Sequence, residues 1–276
     1  MKKYVIILCL ILLSISTIQA QEEKEITLSM PRFRLGIEAG MDVLSGKINK
    51  PEQIRESQSY YSDGDNDYYG GFVSLNRDFA VPYLGLKMEY ALHKRISVSA
   101  GLRFSFYKMT MKADRDYFLW RVYETQTSAN YVKINHIGQQ NYYAGVPLEI
   151  RFFPNEKDYF ARVYILVGTS LNFLAASKNN VEFRTTAMEK YASEIMSHIE
   201  KPSIFQGNFY GGVGLKLGKM DKPFVNIEAH FPTLSYGIDN PKSFTNLTSN
   251  PMGGGIRVIL YMPFLKEQQL IYKVTD

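Results

Sequence analysis

Apolar and polar residues alternate along eight stretches of the chain. One parity of each stretch is apolar and the other is polar or small, which is the period of a β-strand whose two faces meet different surroundings. In the third stretch Val98 and Leu102 lie on the apolar parity, and Ser99 and Arg103 lie on the polar one. The predicted strands cover residues 33–42, 84–92, 96–107, 142–152, 161–173, 208–217, 225–231 and 255–262.

The lengths of these strands favour a membrane protein. With their flanking residues they reach about 12 to 17 positions. A tilted transmembrane strand needs about 9–11 residues, whereas strands of globular proteins usually have about 5–6. After residue 20 no apolar run approaches the length of a membrane-spanning helix, so we expect any crossing of a membrane to be made by strands.

The connections between the predicted strands alternate between long and short. The short ones are residues 93–95, 154–158 and 219–222, and the long ones are 44–80, 110–139, 176–203 and 238–251. Outer-membrane barrels have short turns at the periplasmic side and long loops outside. The sequence therefore predicts an all-β fold, an eight-stranded antiparallel up-and-down transmembrane β-barrel. We expect it in the outer membrane of a Gram-negative bacterium, with both termini in the periplasm.

The N-terminal residues have the features of a signal peptide. Lys2 and Lys3 precede the apolar run 4–13, and cleavage is expected between Ala20 and Gln21. We therefore divide the chain into a signal peptide, a short periplasmic segment, the barrel and a periplasmic tail. These cover residues 1–20, 21–31, 32–264 and 265–276.

Charged residues on the polar parity are expected inside the barrel, because lipid cannot solvate them. This predicted interior network comprises Lys87, Glu89, Arg103, Glu149, Arg151, Arg162, Lys216, Glu228, His230 and Arg257. The interior of an eight-stranded barrel is just wide enough for side chains to fill. We expect ion pairs that satisfy one another, with a proton- or ion-conducting path as the alternative.

Glycines and a proline on the inward parity lead to two further expectations. Inward glycines are expected to make room for Arg and Tyr side chains, or alternatively to leave a ligand cavity. Pro147 lacks a backbone donor, and a closed barrel has no edge strand to tolerate this, so we predict a β-bulge there.

The third long loop contains a predicted amphipathic helix near residues 187–201. Thr186 and Glu189 have the spacing of a capping box, apolar residues follow at helical intervals, and Pro202 ends the run. We expect this helix to cap the barrel mouth. It would otherwise lie on the membrane surface or dock on another protein.

The composition argues against most site chemistry. Cys9, the single cysteine, lies in the signal peptide, so the mature chain has no disulfide or thiolate. Basic residues are scattered rather than clustered, which argues against nucleic-acid binding. We expect no catalytic residue, cofactor or metal. A lipid-modifying enzyme is the alternative, and it requires His230, His136 or His198 beside a serine and a carboxylate.

Several strand motifs resemble the PorT-like outer-membrane β-barrel family. The residues that carry the resemblance are Gly85–Leu92 with Ser97–Ser105, the proline-containing strand Tyr143–Phe152 and the Gly-rich segment Tyr210–Leu215. The resemblance covers most of residues 32–264 and implies an outer-membrane location, and some members of that family are tied to protein secretion and gliding machinery. It transfers no catalytic residue.

We therefore expect a structural or protein-interaction role in the envelope. The barrel would be surrounded by outer-membrane lipid, and its partners would belong to an envelope protein complex. A narrow channel and the lipid-modifying enzyme are the alternatives.

Overall fold

The computed structural model describes residues 33–45, 51–55, 73–75, 78–113, 117–123, 129–219, 221–237 and 252–263. The predicted signal peptide with its cleavage site Ala20–Gln21, the segment 21–31 and the tail 265–276 lie outside these residues. Within the described residues no helix is long and apolar enough to cross a membrane.

Eight long strands close into a ring. They are β1 (Phe33–Ser45), β4 (Asp78–His93), β5 (Ile96–Ala113), β7 (Ala129–Phe152), β8 (Ala161–Phe183), β9 (Phe205–Leu217), β10 (Phe224–Gly237) and β11 (Met252–Pro263). Each pairs antiparallel with the next, and β11 pairs with β1 to close the ring. This confirms the predicted eight-stranded antiparallel up-and-down barrel.

Three short strands add to one end of the ring. They are β2 (Ile54–Arg55), β3 (Val73–Leu75) and β6 (Phe118–Tyr123). β3 pairs with the end of β5, β6 with the start of β7, and β2 with β6. All three lie at the end of the barrel that carries the long connections, which we call the long-loop end. The opposite end, with the tight turn at Lys94–Arg95, is the short-turn end.

The expected loops 110–139 and 176–203 are largely wrong, because the strands continue through much of both. β7 has 24 residues and β8 has 23. The register of their pairing shifts between Ile134 and His136 and again between Tyr142 and Tyr143. Each shift moves the inward residues to the other parity, so the simple alternation is lost in the sequence although the strand continues.

The predicted bulge at Pro147 is also wrong. β7 pairs with β8 in unbroken register there, with Pro147 opposite Ser170. The pairing with β5 has a local gap between the pairs Ala100–Leu148 and Arg103–Gly145, and the register resumes unchanged. One interrupted ladder therefore accommodates the missing donor. A register shift at a proline occurs instead in β10, between His230 and Thr233, where Pro232 lies.

The two faces of the wall exchange polarity along the strands. Between the short-turn end and the level of Lys108, the outward side chains are apolar and exposed, such as Phe104, which is 64% exposed. Above this level, toward the long-loop end, Gln140 of β7 pairs with Lys108 of β5 on one side and with Lys178 of β8 on the other. Two residues below Lys108 on the outer face, Phe106 packs on Tyr142 with ring centroids 5.2 Å apart. A barrel in a hydrocarbon layer has an apolar outer face within the layer and aromatic residues at its boundary, and its outer face becomes polar beyond that boundary.

The inner face changes in the opposite sense, and a helix covers it at the long-loop end. A buried apolar cluster contains inward residues of the barrel mouth, such as Leu44 and Tyr107, together with Trp120. A 3₁₀-helix (Thr186–Tyr191) leads into α1 (Ala192–His198), and Ile195 of α1 is buried in this cluster. The helix thus packs on the mouth of the barrel.

The predicted capping box is wrong. The residue that caps the 3₁₀-helix is Thr185, whose extended backbone precedes the first turn and whose side chain makes no capping hydrogen bond. Thr186 is already the first helical residue, so its hydroxyl is not in the N-cap position. The helical segment also ends at His198, three residues before the predicted limit.

Candidate functional site

The lumen of the barrel is filled by charged side chains. Lys87, Glu89, Arg103, Glu149, Arg151, Glu228 and Arg257, all expected there, are buried inside it. They join residues from several strands into one network, which we call the charge network. Its carboxylates each accept from at least two cationic or hydroxyl donors, as a charge removed from water requires.

Glu149 of β7 lies at the centre of this network. Lys87 Nζ and the hydroxyl of Tyr210 each donate to its Oε1 at 2.6 Å. Arg151 donates to its Oε2 at 3.0 Å, and Arg257 donates to Oε1 as well. Because these donors come from four strands, the carboxylate ties opposite walls of the barrel together.

Glu38 and Glu228 extend the network on either side of Glu149. Arg103 Nε donates to Glu38 Oε1 at 2.8 Å, and Lys87 donates to its other oxygen at 3.1 Å. Glu228 accepts from Arg257 and from the hydroxyl of Tyr164. Cations and carboxylates therefore alternate in space, and neither sign accumulates.

Two of the expected residues, Arg162 and Lys216, lie apart from the charge network. Both are buried at the short-turn end, where Asp158 pairs with each of them. The guanidinium of Arg162 also lies over the ring of Phe153, with 4.4 Å to the centroid. This smaller group closes the bottom of the lumen.

Sequence reasoning did not include Arg34 and Glu38 of β1 among the interior charges. Arg34 Nη1 donates to Glu89 Oε1 at 2.7 Å, and both side chains are buried. The signal was present, because both residues lie on the polar parity of the first predicted strand. That strand alternates them with glycines, which makes its inward face easy to overlook.

Glycines on the inward parity provide the space that aromatic side chains fill. A Cβ at Gly214 would overlap the ring of Tyr164, and a Cβ at Gly168 would lie 2.8 Å from the ring of Tyr210. The hydroxyls of both tyrosines reach the charge network through these gaps. The lumen is therefore packed by glycine–tyrosine pairs as well as by ion pairs.

The histidines do not form a Ser-His-acid arrangement among the described residues. His230 is buried above the charge network, with its Nδ1 3.6 Å from Asp42 and its Nε2 4.0 Å from Glu228. His136 pairs with Glu182 at 3.0 Å, away from the barrel interior. No seryl hydroxyl contacts either histidine in the described structure. Nucleophilic catalysis needs such a contact, directly or through water.

His198 comes nearer to a serine, but no carboxylate pairs with it in the described part of the chain. On α1 its Nδ1 lies 3.5 Å from Ser197 Oγ and 2.9 Å from the backbone oxygen of Glu194. The Ser197 hydroxyl donates to the same backbone oxygen at 2.6 Å. These are local contacts of one helical turn. Among the described residues, no cluster of three or more His, Cys, Asp or Glu is placed to hold a metal ion.

A sheet stands beyond the wall of the barrel at the long-loop end. β2, β6 and the outer parts of β7 and β8 form it, and we call it the platform. β8 pairs with β7 as far as Phe183 but with β9 only as far as Phe173. Leu174 donates its amide to Ile204. Beyond it, residues 175–183 have no described strand on their second side.

The comparisons with known proteins contribute little beyond this geometry. No protein-family model matches the chain, and no curated protein matches it. The N-terminal β-barrel domain of Pseudomonas aeruginosa OprF matches over 83% of this chain and 97% of that chain, at 10% identity and a TM-score of 0.32. OprG of the same organism matches over 84% and 94%, at 11% identity and a TM-score of 0.36.

The translocator domain of the autotransporter NalP from Neisseria meningitidis matches over 95% of this chain and 96% of that chain. The identity is 9% and the TM-score is 0.24. At such low scores nothing is carried over to this chain, and its fold rests on its own strand pairing. The resemblance of its strand motifs to PorT-like proteins stays a prediction.

Proposed function

We propose that this protein is an outer-membrane β-barrel that does not conduct and that binds a partner protein through its platform. The main observation behind this proposal is that the outer face of the wall changes from apolar to polar at the level of Lys108, Gln140 and Lys178. Below this level the wall is apolar outside and charged inside, as lipid requires. Above it the protein is built like a water-soluble domain, with its own apolar core. That part would project from the membrane.

The filled lumen supports a role that does not depend on passage through the barrel. The carboxylate of Glu149 is bonded to Lys87, Arg151 and Arg257 from several sides, so an ion would have to break buried pairs to pass. Breaking one buried pair costs about 3–5 kcal/mol. A narrow channel is therefore the weaker hypothesis.

The free edge of the platform supports a partner that contributes an extended strand. All of the nine residues 175–183 except Ala175 pair with β7 on one side, and most of their side chains are exposed. At about 3.3 Å per residue, this edge offers about 30 Å of backbone donors and acceptors. An unpaired edge of this kind is a template for strand addition.

The orientation and the identity of the partner belong to the same proposal. We place the long-loop end outside the cell and both termini in the periplasm, as outer-membrane barrels are built. The motifs that resemble PorT-like proteins support an envelope complex, such as a secretion machine, as the source of the partner strand.

Photocrosslinking in cells tests the binding role. A photoreactive residue at Asn180, on the free edge, is expected to capture a defined protein in outer-membrane fractions. The matched control carries the same residue at Asn155, which is exposed in the turn at the short-turn end. Capture at neither position, or equal capture at both, would contradict binding through the edge.

Two further measurements separate the alternatives. Purified protein in a planar bilayer is expected to show no conductance steps, and regular steps would support a channel. His136→Ala and His198→Ala are expected to leave crosslinking and envelope phenotype unchanged. Loss of lipid modification in either variant would support the lipid-modifying enzyme instead.

A further inference from the structure

A ring of uncharged and acidic polar side chains lies in the lumen above the charge network. Its members, which we call the polar ring, are Asp42 of β1, Tyr83 of β4, Asn172 of β8, Asn208 of β9 and Thr233 of β10. All five are at most 7% exposed. They come from five of the eight barrel strands and so surround the axis of the barrel.

The stagger of the strands places these residues at one height. Following the pairs from Gly40 through β4, β5 and β7 leads to Leu174 on β8. Following them through β11, β10 and β9 leads to Tyr164, ten residues away on the same strand. Strand tilt causes this offset. When this offset of ten residues is divided evenly among the eight strands, the five members of the polar ring lie at the same height along the barrel axis.

Each member of the polar ring has a side-chain oxygen without a hydrogen-bond partner in the described protein. These atoms are Asp42 Oδ1, Tyr83 OH, Asn172 Oδ1, Asn208 Oδ1 and Thr233 Oγ1. The amide of Asn172 is oriented, because its Nδ2 donates to Ser170 Oγ at 3.2 Å. Buried polar atoms are paired in nearly all native proteins, so these five oxygens at one height need hydrogen-bond donors that the described side chains do not supply.

The charge of the ring indicates the sign of that occupant. The described ion-pair partner of Asp42 is His230, whose Nδ1 lies 3.6 Å from Oδ1, beyond hydrogen-bond distance. The other orphaned atoms are amide and hydroxyl oxygens. A set of one carboxylate and several neutral oxygens attracts hydrogen-bond donors and hard cations.

The residues next to the ring, toward the long-loop end, differ in polarity from strand to strand. Two residues nearer the long-loop end, Leu44 follows Asp42 and Val81 follows Tyr83, and both belong to the apolar cluster. On β9 and β10 the corresponding positions are polar, Gln206 and Ser235. The ring is therefore adjoined by apolar side chains on β1 and β4 and by polar side chains on β9 and β10.

We propose that the polar ring is an internal binding site for a small electropositive ligand, either water or a hard monatomic cation. Both supply what the orphaned oxygens lack, and a buried water satisfies about three such groups. Hard cations take ligands of this kind from carboxylate and amide oxygens. We expect larger solutes to be excluded, because the members of the ring are almost fully buried and the charge network fills the lumen below them.

Unfolding midpoints in urea test the site and distinguish the two ligands. The refolded protein is measured in NaCl, CaCl₂ and, at the same ionic strength, choline chloride, whose cation is too large for the lumen. With a bound cation, Na⁺ or Ca²⁺ raises the midpoint over choline, and Asp42→Asn abolishes the difference. With water alone, the three salts give the same midpoint.

The variant Thr233→Val decides whether the ring is occupied at all. If a ligand is bound there, removing the hydroxyl removes one of its partners and lowers the midpoint. Thr169→Val is the reference for the loss of one threonine hydrogen bond, because the Thr169 hydroxyl donates to the backbone oxygen of Asn208 at 2.9 Å. With no ion effect, a Thr233→Val midpoint that is unchanged or raised would overturn the proposal, because an unsatisfied hydroxyl is costly to bury.

Discussion

Replacing Glu149 with glutamine is the sharpest test of the charge network. The side chain keeps its size, but its carboxylate no longer balances Lys87, Arg151 and Arg257, which lie within hydrogen-bond distance of it. Removing one partner of a buried pair costs about 3–5 kcal/mol, because the other charge remains buried. Since three cations share this carboxylate, we expect Glu149→Gln to lower the free energy of unfolding by at least about 3 kcal/mol.

The same substitution at Glu156 is the matched control. Glu156 pairs with Arg95 at 2.9 Å, but the two side chains are 47% and 46% exposed. Surface pairs contribute about 0–1 kcal/mol, so Glu156→Gln should be nearly neutral. Increasing salt should weaken only the surface pair, because buried charges are screened much less.

Reversible urea unfolding of the refolded barrel in detergent or liposomes measures both variants. The chain has one tryptophan, Trp120, which is buried in the apolar cluster and reports its opening by fluorescence. Circular dichroism reports the barrel itself. A Glu149→Gln barrel whose free energy of unfolding lies within 1 kcal/mol of the Glu156→Gln control would refute the reasoning, since the network would then contribute no more than a surface pair.

Two further predictions concern packing. Gly214→Ala should destabilise the barrel by about 1–3 kcal/mol, because its Cβ would overlap a tyrosine ring. Gly211→Ala on the same strand should be close to neutral in the same urea assay, since its nearest described neighbour would be 4.0 Å away. Ile195→Ala should cost about 2–5 kcal/mol in the apolar cluster, and shift Trp120 emission to the red at lower urea. Met196→Ala, at an exposed position of the same helix, should leave the Trp120 emission unchanged at that urea concentration. Equal emission shifts in the two variants would contradict the packing of the helix on the mouth of the barrel.

The strand pattern could be predicted because the membrane-spanning wall has a strict period of two. Residues such as Leu102 and Arg103 meet lipid and lumen in turn, and no other regular structure alternates in this way. Above the level of Lys108, toward the long-loop end, the sequence did not predict that the strands continue. There the two faces exchange polarity and register shifts change the parity, so local alternation no longer identifies the inward face.

The sequence by itself determined the number of barrel strands, their antiparallel order and which parity carries the interior charges. These follow from local alternation and from connection lengths, both of which are properties of neighbouring residues. Only the tertiary structure decided which charges meet, that Glu149 lies among three cations and that Arg162 and Lys216 lie apart. Those contacts depend on the closure and stagger of the barrel, because strand tilt, and not position along the chain, brings residues of distant strands to one height.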